Sequence, residues 1–141
     1  MAGRNTYLNH LAQVPLFAAC SKKELQTVAR ASDELTLPAG RVLIEQGTSG
    51  HECFVLVEGS VRVARNGRRV AELGPGACFG ELSLLDKGPR SATVTAETPV
   101  TVLVLGPREL ARVLDEVPTM TRKLLATMAS RIRELDAKSY G

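Results

Sequence analysis

The sequence predicts an α+β fold: an eight-stranded antiparallel β-roll of jelly-roll type, preceded by helices, interrupted by one short helix and followed by further helices. Two observations predict it. Between residues 33 and 106, short apolar stretches recur about every ten residues, each separated from the next by a glycine- or proline-bearing turn. Outside that span the apolar residues change to helical spacing. Many short strands with one helical insert suit a roll, a closed shape that leaves few open edges.

In chain order, Leu8, Leu11, Ala12 and Val14 fall near helical spacing over residues 5–14, and Pro15 closes that segment. Ser21 followed by Glu24 is a capping-box pattern. With Leu25, Val28 and Ala29 as the apolar stripe behind it, a helix is expected over residues 21–31. Strand character then begins. Leu35 and Leu37 alternate with polar neighbours up to a turn at Pro38, Ala39 and Gly40, and residues 41–45 follow with Val42 and Ile44 in phase. Residues 52–57 are nearly all apolar, residues 60–65 carry Val61 and Val63 on one face, and residues 68–73 make a further strand. Gly47, Gly50, Glu58-Gly59, Asn66-Gly67 and Gly74-Pro75-Gly76 mark the turns. Asn66-Gly67 is the strongest hairpin signal, because a type I′ turn needs positive φ at both central residues. Residues 92–96 and 100–105 are two more strands, the second expected to be buried on both faces.

The tail is helical again. Pro107 suits a first helical position, and Leu110, Val113 and Leu114 form a stripe that Pro118 ends. Beyond it, Leu124, Leu125, Met128, Ile132 and Leu135 keep helical spacing, opposite Arg122, Lys123, Arg131, Arg133 and Lys138. The plain reading of that stripe is packing on the roll.

Bulk properties bound the function. A chain of 141 residues is expected to be one domain, divided into N-terminal helices (1–32), roll (33–106) and C-terminal helices (107–141). Hydrophobic content of 44% and charged content of 23% are those of a soluble globular protein. No apolar run approaches the roughly 20 residues that cross a bilayer, and the start lacks the pattern of a signal peptide. A cytoplasmic location without a membrane partner is expected. The net charge of +3 is too slight to make nucleic acid the expected partner. Cys20, Cys53 and Cys78 are odd in number and far apart, which argues against a disulfide frame or a CxxC metal site and predicts small buried apolar residues. His10 and His51 are too few for a β-roll metalloenzyme, and neither a Ser-His-acid set nor a GxSxG elbow is present. The expectation is a binding protein without catalysis, metal or cofactor.

The chemistry concentrates in residues 79–93, FGELSLLDKGPRSAT. Gly80 opens a run of helix formers, Glu81, Leu82, Ser83, Leu84 and Leu85, which Gly88 and Pro89 terminate. A helix amino end presents unpaired N–H groups to an anion, and a glycine there lets the anion approach the backbone. Arg90 follows the break, a planar fork suited to phosphate, and Ser91 adds a hydroxyl. Glu81 would repel a bare phosphate yet would accept from a ribose hydroxyl beside one, so the set favours a nucleotide.

FGELSLL followed by PRSATV resembles the phosphate-binding cassette of cyclic nucleotide-binding domains, the family of catabolite activators, protein kinase A regulatory subunits and nucleotide-gated channels. The resemblance implies that Arg90 binds the cyclic phosphate and Glu81 the ribose 2′-hydroxyl, with the backbone of Gly80, Leu82 and Ser91 completing the cradle. Phe79, Ser83, Ala92 and Thr93 complete the expected ligand-binding set. It further implies a hinge-and-lid role for the C-terminal helices, the last covering the base or pairing with a second subunit. The expected function is a ligand-driven conformational switch. cAMP is favoured, and cGMP stays open because Ser91 carries a hydroxyl where kinase subunits commonly have alanine. Partners would be the nucleotide and either an effector protein or a second copy of the chain. Direct DNA binding is not expected. Two alternatives remain: the sensor part of a catabolite-activator-type transcription regulator, and a degenerate roll that has lost its ligand.

Overall fold

The computed structural model describes residues 4–14, 17–80 and 88–140. Helices α1 (Arg4–Gln13) and α2 (Lys22–Ala31) precede strands β1 (Asp33–Leu37), β2 (Val42–Ile44), β3 (Cys53–Glu58), β4 (Val61–Arg65), β5 (Arg68–Leu73), β6 (Cys78–Phe79), β7 (Thr93–Ala96) and β8 (Val100–Leu105). Helices α3 (Pro107–Glu116) and α4 (Pro118–Tyr140) follow. The strands form two four-stranded sheets, β1-β8-β3-β6 and β2-β7-β4-β5. Every pairing is antiparallel. This is the β-roll that the spacing of apolar stretches predicts.

Side-chain alternation explains why β3 and β8 are nearly all apolar. Phe54, Leu56, Val100, Val102 and Val104 point between the sheets, where they meet Ile44, Val61, Phe79, Val94 and Ala96. Their neighbours Cys53, Val55, Val57, Leu103 and Leu105 point the other way, into a second core built with Leu8, Leu11, Phe17, Leu25, Val28, Leu110, Val113 and Met120 from the helical segments. The two central strands of the first sheet are thus buried on both faces, as expected for residues 100–105. Each fully buried large apolar side chain is worth about 1.5–3 kcal/mol.

Local signals are realised where the chemistry is local. Asn66 and Gly67 have φ of 54° and 79°, the two left-handed residues of a type I′ turn, and Arg65 pairs with Arg68 across it. Pro107 begins α3 and Pro118 begins α4. The apolar stripe of α4, however, divides into two. Met120 and Leu124 are buried and Met128 packs partly beside them, whereas Leu125, Ile132 and Leu135 are 65%, 59% and 63% exposed. A single helix cannot turn positions 124 and 125 to the same side, so only one row packs on the roll. No helix among the described residues is long and apolar enough to cross a membrane.

The capping box of α2 does more than end a helix. Glu24 accepts from the Ser21 backbone N–H at 2.7 Å, and its own N–H donates to the Ser21 hydroxyl at 3.2 Å. The same carboxylate accepts from Lys123 Nζ at 2.5 Å and from the Thr119 hydroxyl at 2.9 Å, which ties α2 to α4. These bonds, Lys123 first and the Ser21 N–H next, hold the carboxyl at about 2, below its ordinary 4.5, against the opposing effect of burial. Because the folded value is the lower one, the stabilisation is present above pH 4.5 and fades as pH falls toward 2. Glu24→Gln is therefore expected to unfold more readily than wild type by about 1–2 kcal/mol at pH 6, a figure reduced by solvent around the half-exposed lysine. Urea titrations at pH 6, 4 and 3 should show the gap closing with acid. A gap that stays constant would mean that the carboxylate charge contributes nothing.

Candidate functional site

Arg90 is the organising residue. It is 8% exposed, one of the few buried charged side chains among the described residues. Its backbone is clamped to the β2–β3 loop: the Arg90 N–H donates to the Thr48 carbonyl at 2.9 Å, and the Gly47 N–H donates to the Arg90 carbonyl at 2.8 Å. Its Nη2 donates to the Glu52 carbonyl at 2.8 Å. The loop just ahead of β3 therefore sets where the guanidinium lies.

Two glycines make room for it. A Cβ on Gly50 would stand 2.8 Å from Arg90 Nε, and one on Gly80 would stand 2.6 Å from Nη1 and 2.9 Å from the Glu52 carbonyl. Gly80 also has φ of 82°, a conformation that side chains disfavour. The guanidinium thus lies against bare backbone on both sides. Burial pushes its pKa down, while the Glu52 carboxylate and Cys53 push it up. An arginine starts so high that it keeps its charge. A buried, positioned cation beside glycine backbone is suited to one ligand chemistry, an anion with several oxygens such as phosphate.

The remaining predicted site residues fall into three groups. Glu81, Leu82 and Ser83 lie outside the described residues. Ser91 is exposed, with its carbonyl accepting from Arg65 Nε at 3.3 Å, and Ala92 is half-buried beside it. Phe79 and Thr93 sit in supporting positions. Phe79 stacks on Phe54 with ring centres 5.5 Å apart, and the Thr93 hydroxyl accepts from the Gln46 N–H at 3.0 Å. Gln46 in turn exchanges two 2.8 Å bonds with Asn66, pinning the β4–β5 turn to the same loop.

Sequence reasoning placed Gly47 and Gly50 only as turn residues and did not assign Thr48, Glu52 or Gln46 to the site. The Gly-x-x-Gly spacing before a nearly all-apolar strand was the available signal. Nothing in sequence distance from Arg90 could reveal the pairing. Among the described residues, no three His, Cys, Asp or Glu side chains gather as metal ligands. A cavity of about 360 Å³ between α1 and α2, lined by Leu8, Asn9, Ala12, Cys20, Lys22 and Leu25, includes none of the Arg90 neighbours.

Known proteins resemble this chain in sequence and fold. A cyclic nucleotide-gated potassium channel of Mesorhizobium japonicum is 39% identical over 86% of this chain and 34% of its own length. A cyclic AMP receptor protein of Thermus thermophilus is 32% identical over 86% of this chain and 59% of its own length. The chain thus spans about a third of the first relative and less than two thirds of the second. The crystal structure of the N-terminal domain of a transcriptional regulator from Streptomyces coelicolor A3(2) superposes with a TM-score of 0.85 at 37% identity, covering 91% of this chain and 95% of that one. The family model described as cyclic nucleotide-binding domain matches residues 34–117, more than half of the 141. That span runs from β1 through the Arg90 loop to the end of α3, and the chain belongs to the cyclic nucleotide-binding domain family.

Proposed function

We propose that this protein is a cyclic nucleotide receptor, with cAMP the favoured ligand, that acts as a conformational switch and not as a catalyst. The observation that carries the proposal is the buried Arg90 guanidinium laid between Gly50 and Gly80. In this reading Arg90 donates to the cyclic phosphate and Glu81 accepts from the ribose 2′-hydroxyl. The backbone of Gly80, Leu82 and Ser91 would complete the phosphate cradle, and Phe79, Ser83, Ala92 and Thr93 complete the proposed ligand-binding set. The family membership and the 32% identity to a cyclic AMP receptor protein support it.

Output would pass through the helices. Ligand binding shifts an equilibrium only by its differential affinity for the two states, so some contact must exist in one state alone. The α4 helix carries the means. Leu125, Ile132 and Leu135 stand seven and three residues apart, the spacing of a coiled-coil seam, which suits a second copy of the chain. A cytoplasmic location belongs to the same reading.

Calorimetric titration with cAMP and cGMP is the test, joined to thermal melting. At about a hundred times the dissociation constant, ligand adds roughly 2.7 kcal/mol. For a domain of this size that raises Tm by about 5–10 °C. Both nucleotides should bind: an extra hydrogen bond from Ser91 to guanine is worth about 0.5–1.5 kcal/mol, so it can shift the balance toward cGMP by about tenfold at most. Absence of heat and of a Tm shift with either nucleotide, in folded and ligand-free protein, would overturn the proposal and leave a roll kept for protein contacts.

A further inference from the structure

The fold brings together two cysteines that stand 25 residues apart: Cys53 Sγ and Cys78 Sγ lie 3.3 Å from each other. Cys53 opens β3 and is 1% exposed, while Cys78 opens β6 and is half-buried. Cys78 pairs with Val55, so Cys53 sits one diagonal step away on the same face of the sheet. The third cysteine, Cys20, is set apart: burial raises its thiol pKa, helped by the Glu24 carboxylate and opposed by Lys123. A thiol held above its ordinary pKa is a poor nucleophile.

The pair also flanks the Arg90 site. Cys53 directly follows Glu52, whose carbonyl accepts from Arg90 Nη2. Cys78 stands two residues before Gly80, against which the guanidinium lies. Strand β6 is only two residues long, so it is the more easily displaced of these two walls.

We propose that Cys53 and Cys78 are a redox-reactive dithiol, closed to a disulfide by a peroxide oxidant, and that this bond weakens nucleotide binding at the Arg90 site. The half-buried Cys78 sulfur attacks one peroxide oxygen, the O–O bond breaks, and a sulfenic acid and one water result. The Cys53 sulfur then attacks the sulfenic sulfur. The S–O bond breaks as the S–S bond forms, and the hydroxyl leaves with the Cys53 proton as a second water. Two thiols lose two electrons in all and one peroxide gains them. A disulfide needs its sulfurs about 2.05 Å apart, so closure draws β6 toward β3 and shifts both walls of the guanidinium. The second half of the proposal rests on the nucleotide reading above, whereas the first does not.

Hydrogen peroxide, quenched with catalase, is applied to the full chain, followed by thiol titration and non-reducing peptide mapping. The three thiols of the reduced protein should fall to one, with a Cys53–Cys78 linked peptide two hydrogens lighter than its parts, and dithiothreitol should restore them. Cys78→Ser should form no linked peptide. Retention of all three thiols, or a bridge that involves Cys20, would overturn the dithiol. Competition binding of cAMP on the same samples should show oxidised wild type at least threefold weaker than reduced. Equal affinity in protein shown to carry the bridge would overturn the coupling. If reduced protein binds no cAMP, the nucleotide reading fails along with the coupling, and the peptide map still decides the dithiol.

Discussion

Arg90→Ala lowers cyclic nucleotide affinity by roughly 30-fold to several thousand-fold, the largest functional effect expected of any single change. Truncating one partner of a desolvated, hydrogen-bonded charge pair costs about 2–5 kcal/mol, which converts to that range of dissociation constants. Arg90 meets the condition because it is 8% exposed and already aligned by the Glu52 carbonyl, so little ordering is left for the ligand to induce. Glu81→Ala should lose less, about 1.5–3 kcal/mol, since it removes one bond from a charged acceptor to a neutral hydroxyl. Gly50→Ala is the partner experiment. Its Cβ would meet Arg90 Nε at 2.8 Å and Nη2 at 2.9 Å, the far end of a long side chain, so the guanidinium moves and the fold stays. Affinity should fall without a matching loss of Tm. Titrations of the three variants against wild type, with circular dichroism as the check on folding, decide the matter. An Arg90→Ala protein that binds within threefold of wild type would remove the arginine from the site.

How much of this was legible in the sequence follows from which interactions are local. The Ser21–Glu24 capping box, the Asn66-Gly67 turn and the breaks at Pro107 and Pro118 depend on a few adjacent residues, and each appears where it was expected. The double burial of β8 could be read because a strand apolar on both faces has nowhere to be but between two layers. Strand β6 could not. Two residues carry no periodicity, and Cys78-Phe79 became a strand only through pairing with Val55 and Phe54. The same tertiary pairing put two cysteines beside each other that spacing along the chain had set apart. Likewise Lys123, placed in the sequence on the basic face opposite the apolar stripe, serves the carboxylate of Glu24, ninety-nine residues away. At the site, Gly80 and Arg90 were visible as chemistry, while the loop that holds them, Gly47 to Glu52, was visible only as a turn.

Gly59→Ala is expected to be the most destabilising conservative change in the chain, at about 2–5 kcal/mol. Gly59 lies between β3 and β4 with φ of 89°, and a left-handed residue with a side chain costs about 1–2 kcal/mol. The larger share is steric. A Cβ there would stand 2.3 Å from the Pro99 carbonyl oxygen, 2.9 Å from the Thr98 hydroxyl and 2.9 Å from a Val100 methyl. The nearest of these is backbone, which cannot rotate away, and forcing extra volume into packed structure costs about 1–3 kcal/mol. Relief would require the β3–β4 and β7–β8 connections to separate. They are joined by the Glu97 N–H to the Ser60 carbonyl at 2.9 Å and by the Ser60 N–H to the Thr98 hydroxyl at 3.0 Å, so separation breaks those bonds too. Gly67→Ala provides the contrast. It has φ of 79° but nothing within 4 Å of an added Cβ, so it should lose only the conformational share. With a urea m-value of about 1–3 kcal/mol/M, the Gly59 variant's midpoint should drop by about 1–2 M and the Gly67 variant's by less than half as much. Equal midpoints for the two would show that the interlocked connections yield freely and that the steric argument is wrong.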